Sequence, residues 1–99
     1  MLLGEKVTAA EASQMGMIYK VFPDETFEED SMKMAANLAS MPTRGLALIK
    51  SALNKSYSHA LEEQLALEDI LQQQAAGTND FKEGVQAFLE KRQPKFVGN

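Results

Sequence analysis

Thr78-Asn79-Asp80-Phe81-Lys82-Glu83-Gly84-Val85-Gln86-Ala87-Phe88-Leu89-Glu90-Lys91-Arg92-Gln93-Pro94-Lys95-Phe96 is the stretch from which the rest of the chain is read. Asp80 is placed to accept from the free N–H groups of a first helical turn. Glu83, three residues on, can reach back to the Asp80 N–H, which makes a capping box with Asp in the Ser/Thr role. Phe81, Val85, Phe88 and Leu89 fall on one face at helical spacing. Pro94 stops the helix, and Gln93 before it is pushed towards an extended conformation. The pattern predicts a short amphipathic helix, docked by its apolar face, with a basic end in which Lys91, Arg92 and Lys95 outweigh Glu90.

Working outward, the same signals recur upstream. Thr8 with Glu11 is a capping box and Gly16 a natural residue just past a helix end, so Ala9 to Met15 reads as a two-turn helix. Met17 to Phe22 is short, β-leaning and closed by Pro23, with no good partner strand elsewhere in the chain. A second helix is predicted from about Thr26, capped by Thr26 and Glu29, to Met41, with Phe27, Met34, Ala35, Leu38 and Met41 as its apolar stripe. Pro42 breaks the chain and Thr43 can cap a third helix, whose buried stripe is Leu46, Ile49, Ala52 and Leu53. A polar turn over Asn54 to Ser58 leads to a fourth helix from about Ser58 to Ala76. It carries Leu61, Leu65, Glu68, Leu71 and Ala75 along one line, and Gly77 ends it. The expected fold is all-α, with five helices, the second to fourth packed as a compact unit with Leu38 and Leu65 in its core, and no stable sheet.

The totals narrow the function. Ninety-nine residues make one small domain, and 44% hydrophobic content argues against a disordered chain. With no cysteine there is no disulfide, no Cys-based zinc site and no thiol nucleophile, which fits a reducing compartment such as the cytoplasm. No apolar run approaches the roughly 20 residues needed to span a bilayer, and no basic-then-apolar leader opens the chain. A net charge of −4 argues against a general nucleic-acid surface. The charge is uneven: Asp24 to Asp30 is acidic and the last nine residues are basic, so an anionic ligand is drawn to the end of the chain.

The candidate chemistry is sparse. His59, the single histidine, stands near a helix start without an evident carboxylate partner and reads as structural or solvent-facing. Glu28, Glu29 and Asp30 read as a solvated helix start, where carboxylates meet the positive end of the dipole, rather than as a metal site. Glu68 interrupts an apolar line, so its carboxylate must be hydrogen-bonded or lie at an interface; a structural role outweighs that of a general acid. The six methionines read as core filler. There is no Gly-rich phosphate loop, Ser-His-Asp set or metal-ligand spacing, so the residues by themselves assign no catalytic residue, metal ligand or bound cofactor.

The order of residues says more. Leu3-Gly4-Glu5-Lys6-Val7-Thr8-Ala9-Ala10-Glu11-Ala12, followed by Gly16-Met17-Ile18-Tyr19-Lys20-Val21, resembles one block of the enoyl-CoA hydratase/isomerase (crotonase) family. Met41-Pro42-Thr43 with Leu46-Ala47-Leu48-Ile49-Lys50 resembles a second, and Glu68 matches a glutamate late in the family's long helix. Thr78, Asp80, Glu83-Gly84, Ala87-Phe88, Lys91-Arg92, Pro94 and Phe96 match the family's closing motif. Together the blocks cover almost the whole chain in the family's order, with the nearest likeness to the bacterial branch that holds phenylacetate-pathway ring-epoxide isomerases.

The resemblance implies the C-terminal helical, trimerisation module of the crotonase fold without its ββα spiral core. Residues 1–23 then read as the remnant of a junction to that core, with Met1 a start inside a longer structure, and 24–99 as the helical domain. The family's oxyanion hole and acid/base residues lie upstream of this module. The implied function is therefore oligomer assembly, as a trimer or dimer of trimers, and covering of a neighbouring subunit's coenzyme A site, with no catalysis by the chain alone. The implied ligand is an acyl-CoA thioester, as substrate of the parent enzyme. Lys91, Phe88, Lys95 and Arg92 are the expected contacts, with Phe88 and Lys91 three apart and so neighbours on one helical surface. The other reading is a free-standing helical interaction module with no catalytic role.

Overall fold

A computed structural model describes residues 4–99; Met1, Leu2 and Leu3, which open the segment read as a junction, lie outside the described residues. Five α-helices follow one another: α1 (Ala9–Gln14), α2 (Phe27–Ala39), α3 (Thr43–Ser56), α4 (Leu61–Ala76) and α5 (Asn79–Glu90), with a 3-10 turn at Asp24–Thr26 before α2. Among the described residues there is no strand. The chain divides into two compact units, one up to Met34 and one over Ala35–Asn99.

In the first unit the expected capping box forms. The Glu11 N–H donates to Thr8 Oγ1 at 3.2 Å and the Thr8 N–H to Glu11 Oε2 at 2.8 Å. Gly16 takes φ +72° just past the helix end, a conformation that costs a glycine nothing. Met17 to Val21 is irregular and exposed. The Phe22 ring meets Phe27 edge to face with centroids 6.4 Å apart, and Lys20 Nζ lies 5.1 Å from the Phe22 ring centre. The helix start expected at Thr26 is corrected by one residue. Thr26 belongs to the 3-10 turn, its N–H bound to the Pro23 carbonyl at 3.2 Å, so α2 begins at Phe27.

In the second unit α3 packs on α4 and α4 on α5, where the sequence placed the compact unit at the second to fourth helices. α3 and α4 run antiparallel: Gly45 and Ala75 line one end of their shared cleft, and Gln64 Nε2 donates to the Ala52 carbonyl at 3.2 Å. Small residues at these positions let the two backbones approach. Gln64 Nε2 also donates to Glu68 Oε1 at 2.8 Å, and Glu68 is exposed, so water satisfies the rest of a carboxylate that the sequence placed on a buried line.

Two helix starts differ from the sequence reading. Thr43 is the first residue of α3 rather than its cap; Pro42 holds the cap position and offers no side-chain acceptor. α4 begins at Leu61, not Ser58, because Ala60 is extended (φ −69°, ψ 164°) and the Glu63 carboxylate accepts from its N–H at 3.0 Å. Alanine has no side-chain oxygen to return the bond, so only half of a capping box forms.

The core is small. Leu48 on α3 (9% exposed) and Ala87 on α5 (1%) are the buried apolar residues among those described, and the buried polar residue is Asp80 (2%). Leu38 and Leu65, expected in the core, are 48% and 56% exposed. Their stripes are apolar, but among the described residues nothing sufficient covers them. Leu48→Ala should therefore cost about 2–3 kcal/mol, and Leu38→Ala and Leu65→Ala each less than about 1 kcal/mol, as measured by urea unfolding. Equal losses at all three would show that the stripes are buried in solution.

Candidate functional site

α5 and the tail that follows it are joined by a set of side-chain and backbone hydrogen bonds. The cap of α5 is Thr78, not Asp80: the Phe81 N–H donates to Thr78 Oγ1 at 3.1 Å. Thr78 also donates its hydroxyl to the Ala75 carbonyl at 2.7 Å, joining α4 to α5. The Asp80–Glu83 capping box expected from sequence is thus corrected. Asp80 sits two residues past the cap, and both carboxylates are taken by the tail instead.

The tail folds back along α5. Asp80 Oδ1 accepts from the Val97 N–H at 2.7 Å, and Oδ2 from the Gly98 N–H at 2.9 Å. The Asp80 N–H donates to the Asn99 carbonyl at 3.0 Å, and Asn79 Nδ2 to Asn99 Oδ1 at 3.2 Å. Two charge-assisted bonds make a buried carboxylate tolerable. Gly98, at φ +84°, passes so close to α3 that an added Cβ would lie 2.6 Å from Thr43 Oγ1. Phe96 lies over Gly84, where an added Cβ would be 3.6 Å from the ring, an ordinary contact.

Glu83 is the second anchor. Both of its oxygens receive the Arg92 guanidinium, Nη2 to Oε2 at 2.9 Å, and Oε1 also accepts from the Lys95 N–H at 2.8 Å. Arg92 Nε meets Glu90 Oε2 at 2.6 Å. The guanidinium of Arg92 and the Lys95 N–H hold the Glu83 carboxyl down at about 2. Glu90 is lowered as well, by its bond from Gln86 and then by Arg92, and Arg92 is raised by its two carboxylates.

The four basic-end residues named from sequence have separate fates. Phe88 is 82% exposed and is not core. It borders an apolar groove of about 450 Å³ shared with Phe81, Val85, Phe96 and Pro42. Lys91 ends α5 in the left-handed conformation (φ 54°, ψ 39°), its N–H donating to the Phe88 carbonyl at 3.2 Å. Because Lys91 leaves the helix there, the three-residue helical spacing to Phe88 does not fix the relation of the two side chains. Arg92 is tied to Glu83 and Glu90. Lys95 is fixed through its backbone and exposed, and among the described residues neither Lys91 nor Lys95 has a carboxylate within 4.0 Å. Sequence reasoning missed the anchoring role of Asp80; the bonds span 17 and 18 residues, and no local pattern reports them. No group of three His, Cys, Asp or Glu placed to hold a metal exists among the described residues, and no helix there is long and apolar enough to cross a membrane.

The whole chain, residues 1–99, matches the family model described as enoyl-CoA hydratase/isomerase. It is 44% identical over 97 residues to 1,2-epoxyphenylacetyl-CoA isomerase of Escherichia coli (strain K12), covering 98% of this chain and 37% of that protein. It is 39% identical over 97 residues to 2,3-dehydroadipyl-CoA hydratase of the same strain, covering 98% of this chain and 38% of the relative. The crystal structure of enoyl-CoA hydratase from Bacillus anthracis superposes with a TM-score of 0.86 at 31% identity, covering 99% of this chain and 38% of that one. The chain belongs to the enoyl-CoA hydratase/isomerase family, and its five helices are those of a C-terminal portion of the crotonase fold. It spans somewhat under two-fifths of the length of these relatives.

Two outcomes follow from the anchors. Asp80→Ala and Gly98→Ala should each free the last residues, read as faster amide exchange at Val97 and Gly98, whereas Gly84→Ala should leave exchange unchanged and gain up to about 1 kcal/mol of helix propensity. Glu83, with its pKa lowered from 4.5 to about 2, contributes stability that is fully present above about pH 4.5 and is lost as pH falls towards 2. Arg92→Gln should flatten this part of an acid-unfolding profile; a profile identical to wild type between pH 4.5 and 2 would refute the assignment.

Proposed function

We propose that this chain is the C-terminal helical module of an acyl-CoA hydratase or isomerase acting on enoyl-CoA-type thioesters. In this reading it serves in assembly with copies of itself, as a trimer or dimer of trimers, and covers the coenzyme A site of a neighbouring subunit. The observation that carries it is α5 itself: Phe81, Val85, Phe88 and Leu89 are exposed on it, and the exposed Lys91 and Lys95 follow at its C-terminal end. An adenine ring can pack on Phe88 while a phosphate meets Lys91, with Lys95 a second cation and Arg92 beside them. Residues 1–23 join the module to the family's spiral core.

In this reading the module stands beside the family's reaction rather than within it. Removing the α-proton of an acyl thioester, or adding a nucleophile to an enoyl thioester, puts negative charge on the carbonyl oxygen. Preorganised N–H donors stabilise that charge, and a carboxylate of tuned pKa moves the proton. The resemblance puts both in the portion of the family's length that this chain does not match. Glu68, bonded to Gln64 and exposed, and His59 are given no part in it. The likeness to 1,2-epoxyphenylacetyl-CoA isomerase favours the ring-epoxide isomerase branch, a cytoplasmic setting fits the cysteine-free composition, and no metal or bound cofactor is required.

The chain alone should turn over no enoyl-CoA and should bind coenzyme A weakly, at about millimolar Kd, roughly 4 kcal/mol. In the intact oligomeric protein, coenzyme A should shift backbone amides from Phe88 to Lys95, and Lys91→Ala and added salt should both weaken binding. Absence of shifts in that segment with coenzyme A bound would refute the role given to α5. Turnover by the 99-residue chain, surviving Glu68→Gln and His59→Ala, would refute its inactivity.

A further inference from the structure

Three cations close together at the end of a chain are usually treated as one basic patch, but here they are not equivalent. Arg92 uses its guanidinium inside the molecule. Nε goes to Glu90, Nη1 to Glu83 and to the Gln93 carbonyl at 3.2 Å, and Nη2 to Glu83 at 2.9 Å. A guanidinium has five N–H donors, so one remains. The two carboxylates that engage the one guanidinium leave Arg92 no uncompensated charge to offer a phosphate. Lys91 and Lys95 differ from it. Neither has a carboxylate partner among the described residues, and the Lys95 backbone is held by the Glu83 oxygen that also holds Arg92.

We infer that Glu83 sorts the basic tail, withdrawing Arg92 from anion binding and fixing the backbone at Lys95, so that Lys91 and Lys95 alone meet a phosphate of the coenzyme A nucleotide. Glu83 is on this account a positioning residue: it touches no ligand and acts through Arg92 and Lys95. The sorting rests on the reading that coenzyme A reaches this tail, and it removes Arg92 from the contacts that the basic composition alone suggests. The left-handed conformation of Lys91 turns the chain at the end of α5, and the return of the chain brings Arg92 and the Lys95 N–H to one carboxylate nine and twelve residues back in sequence.

The experiment is a double-mutant cycle read in ligand affinity. Coenzyme A and 3′-dephospho-coenzyme A are titrated against the intact protein and against Lys91→Ala, Arg92→Gln, Glu83→Gln and the Glu83→Gln/Arg92→Gln double variant. Circular dichroism and thermal unfolding verify that each is folded. The amide oxygen that Glu83→Gln introduces still accepts from the Lys95 N–H, so the backbone anchor is kept while the ion pair is removed. Lys91→Ala should weaken coenzyme A binding about threefold or more, and Arg92→Gln should change it by less than about twofold. In the Glu83→Gln background Arg92 keeps Glu90 as its one carboxylate partner and its Nη groups lose theirs, and Arg92→Gln should then weaken coenzyme A binding by about threefold or more. The ligand lacking the 3′-phosphate tells which phosphate is met: its affinity follows the same pattern if the diphosphate is the partner and loses it if the 3′-phosphate is. If Lys91→Ala has an effect but Arg92→Gln in the wild-type background weakens binding as much, the sorting is wrong and the coenzyme A reading stands. The sorting is also wrong if Arg92→Gln is silent in both backgrounds. If Lys91→Ala changes nothing for either ligand, the coenzyme A reading fails and the sorting fails with it.

Discussion

A carboxylate buried to within 2% of its surface, Asp80, is the constraint on which the end of this molecule depends. Taking an ionised group out of water is unfavourable, and the cost is offset here by the N–H groups of Val97 and Gly98, which themselves need acceptors once they are brought against α5. Each side satisfies the other. The return bond from the Asp80 N–H to the Asn99 carbonyl uses one of the donors that a helix start always leaves free. The tail is therefore part of the helix's own capping, supplied from the far end of the chain. Its position places Phe96 over Gly84 and so closes one side of the groove that Phe88 borders.

The rest of the chain buries little apolar surface. A 99-residue chain can bury a core, yet the buried apolar residues among those described are Leu48 and Ala87. The stripes on α2, α4 and α5 have the spacing of core-facing helices, and Leu38, Leu65, Phe81 and Leu89 remain exposed along them. Exposed apolar stripes of this kind are surface that a partner can cover. The chain spans less than two-fifths of its relatives' length, and the assembly proposed above would cover such surface. Exposed core-type stripes and family membership thus support one another, from independent observations.

How far the fold was legible follows from the range of each interaction. Elements set by neighbours three or four residues apart were readable. The Thr8–Glu11 box, the left-handed Gly16 and the existence and order of all five helices each rest on local signals. Helix starts were less secure where a capping residue has distant partners. The sequence pattern points to Asp80 as the cap of α5, but Thr78 takes that place and Asp80 is engaged by Val97 and Gly98, far along the chain. Burial was read from periodicity alone, which reports that a face will be covered but not by what; Leu38 and Leu65 are exposed, and on α3 Leu48 is buried while Ile49 and Leu53 of the expected stripe are 58% and 60% exposed. For the candidate site, the basic character of the end was plain in composition. The internal engagement of Arg92 was not, because it needs the chain to turn at Lys91 and return to Glu83.

That turn carries a tension of its own. A non-glycine residue with φ near +54° carries a penalty of about 1 kcal/mol that glycine would avoid. A lysine in this place meets the backbone requirement and also sets a cation at the C-terminal end of α5, where the free carbonyls carry partial negative charge. In the reading proposed above, attraction to those carbonyls and attraction to a phosphate would compete for the same ammonium group. The carbonyl interaction is shared with water and screened by salt, whereas a phosphate carries a full charge. The helix end would then hold Lys91 weakly and release it readily to a ligand. An arginine engaged by two carboxylates is not released so readily, and the difference between the two cations lies in their partners rather than in their place in the sequence.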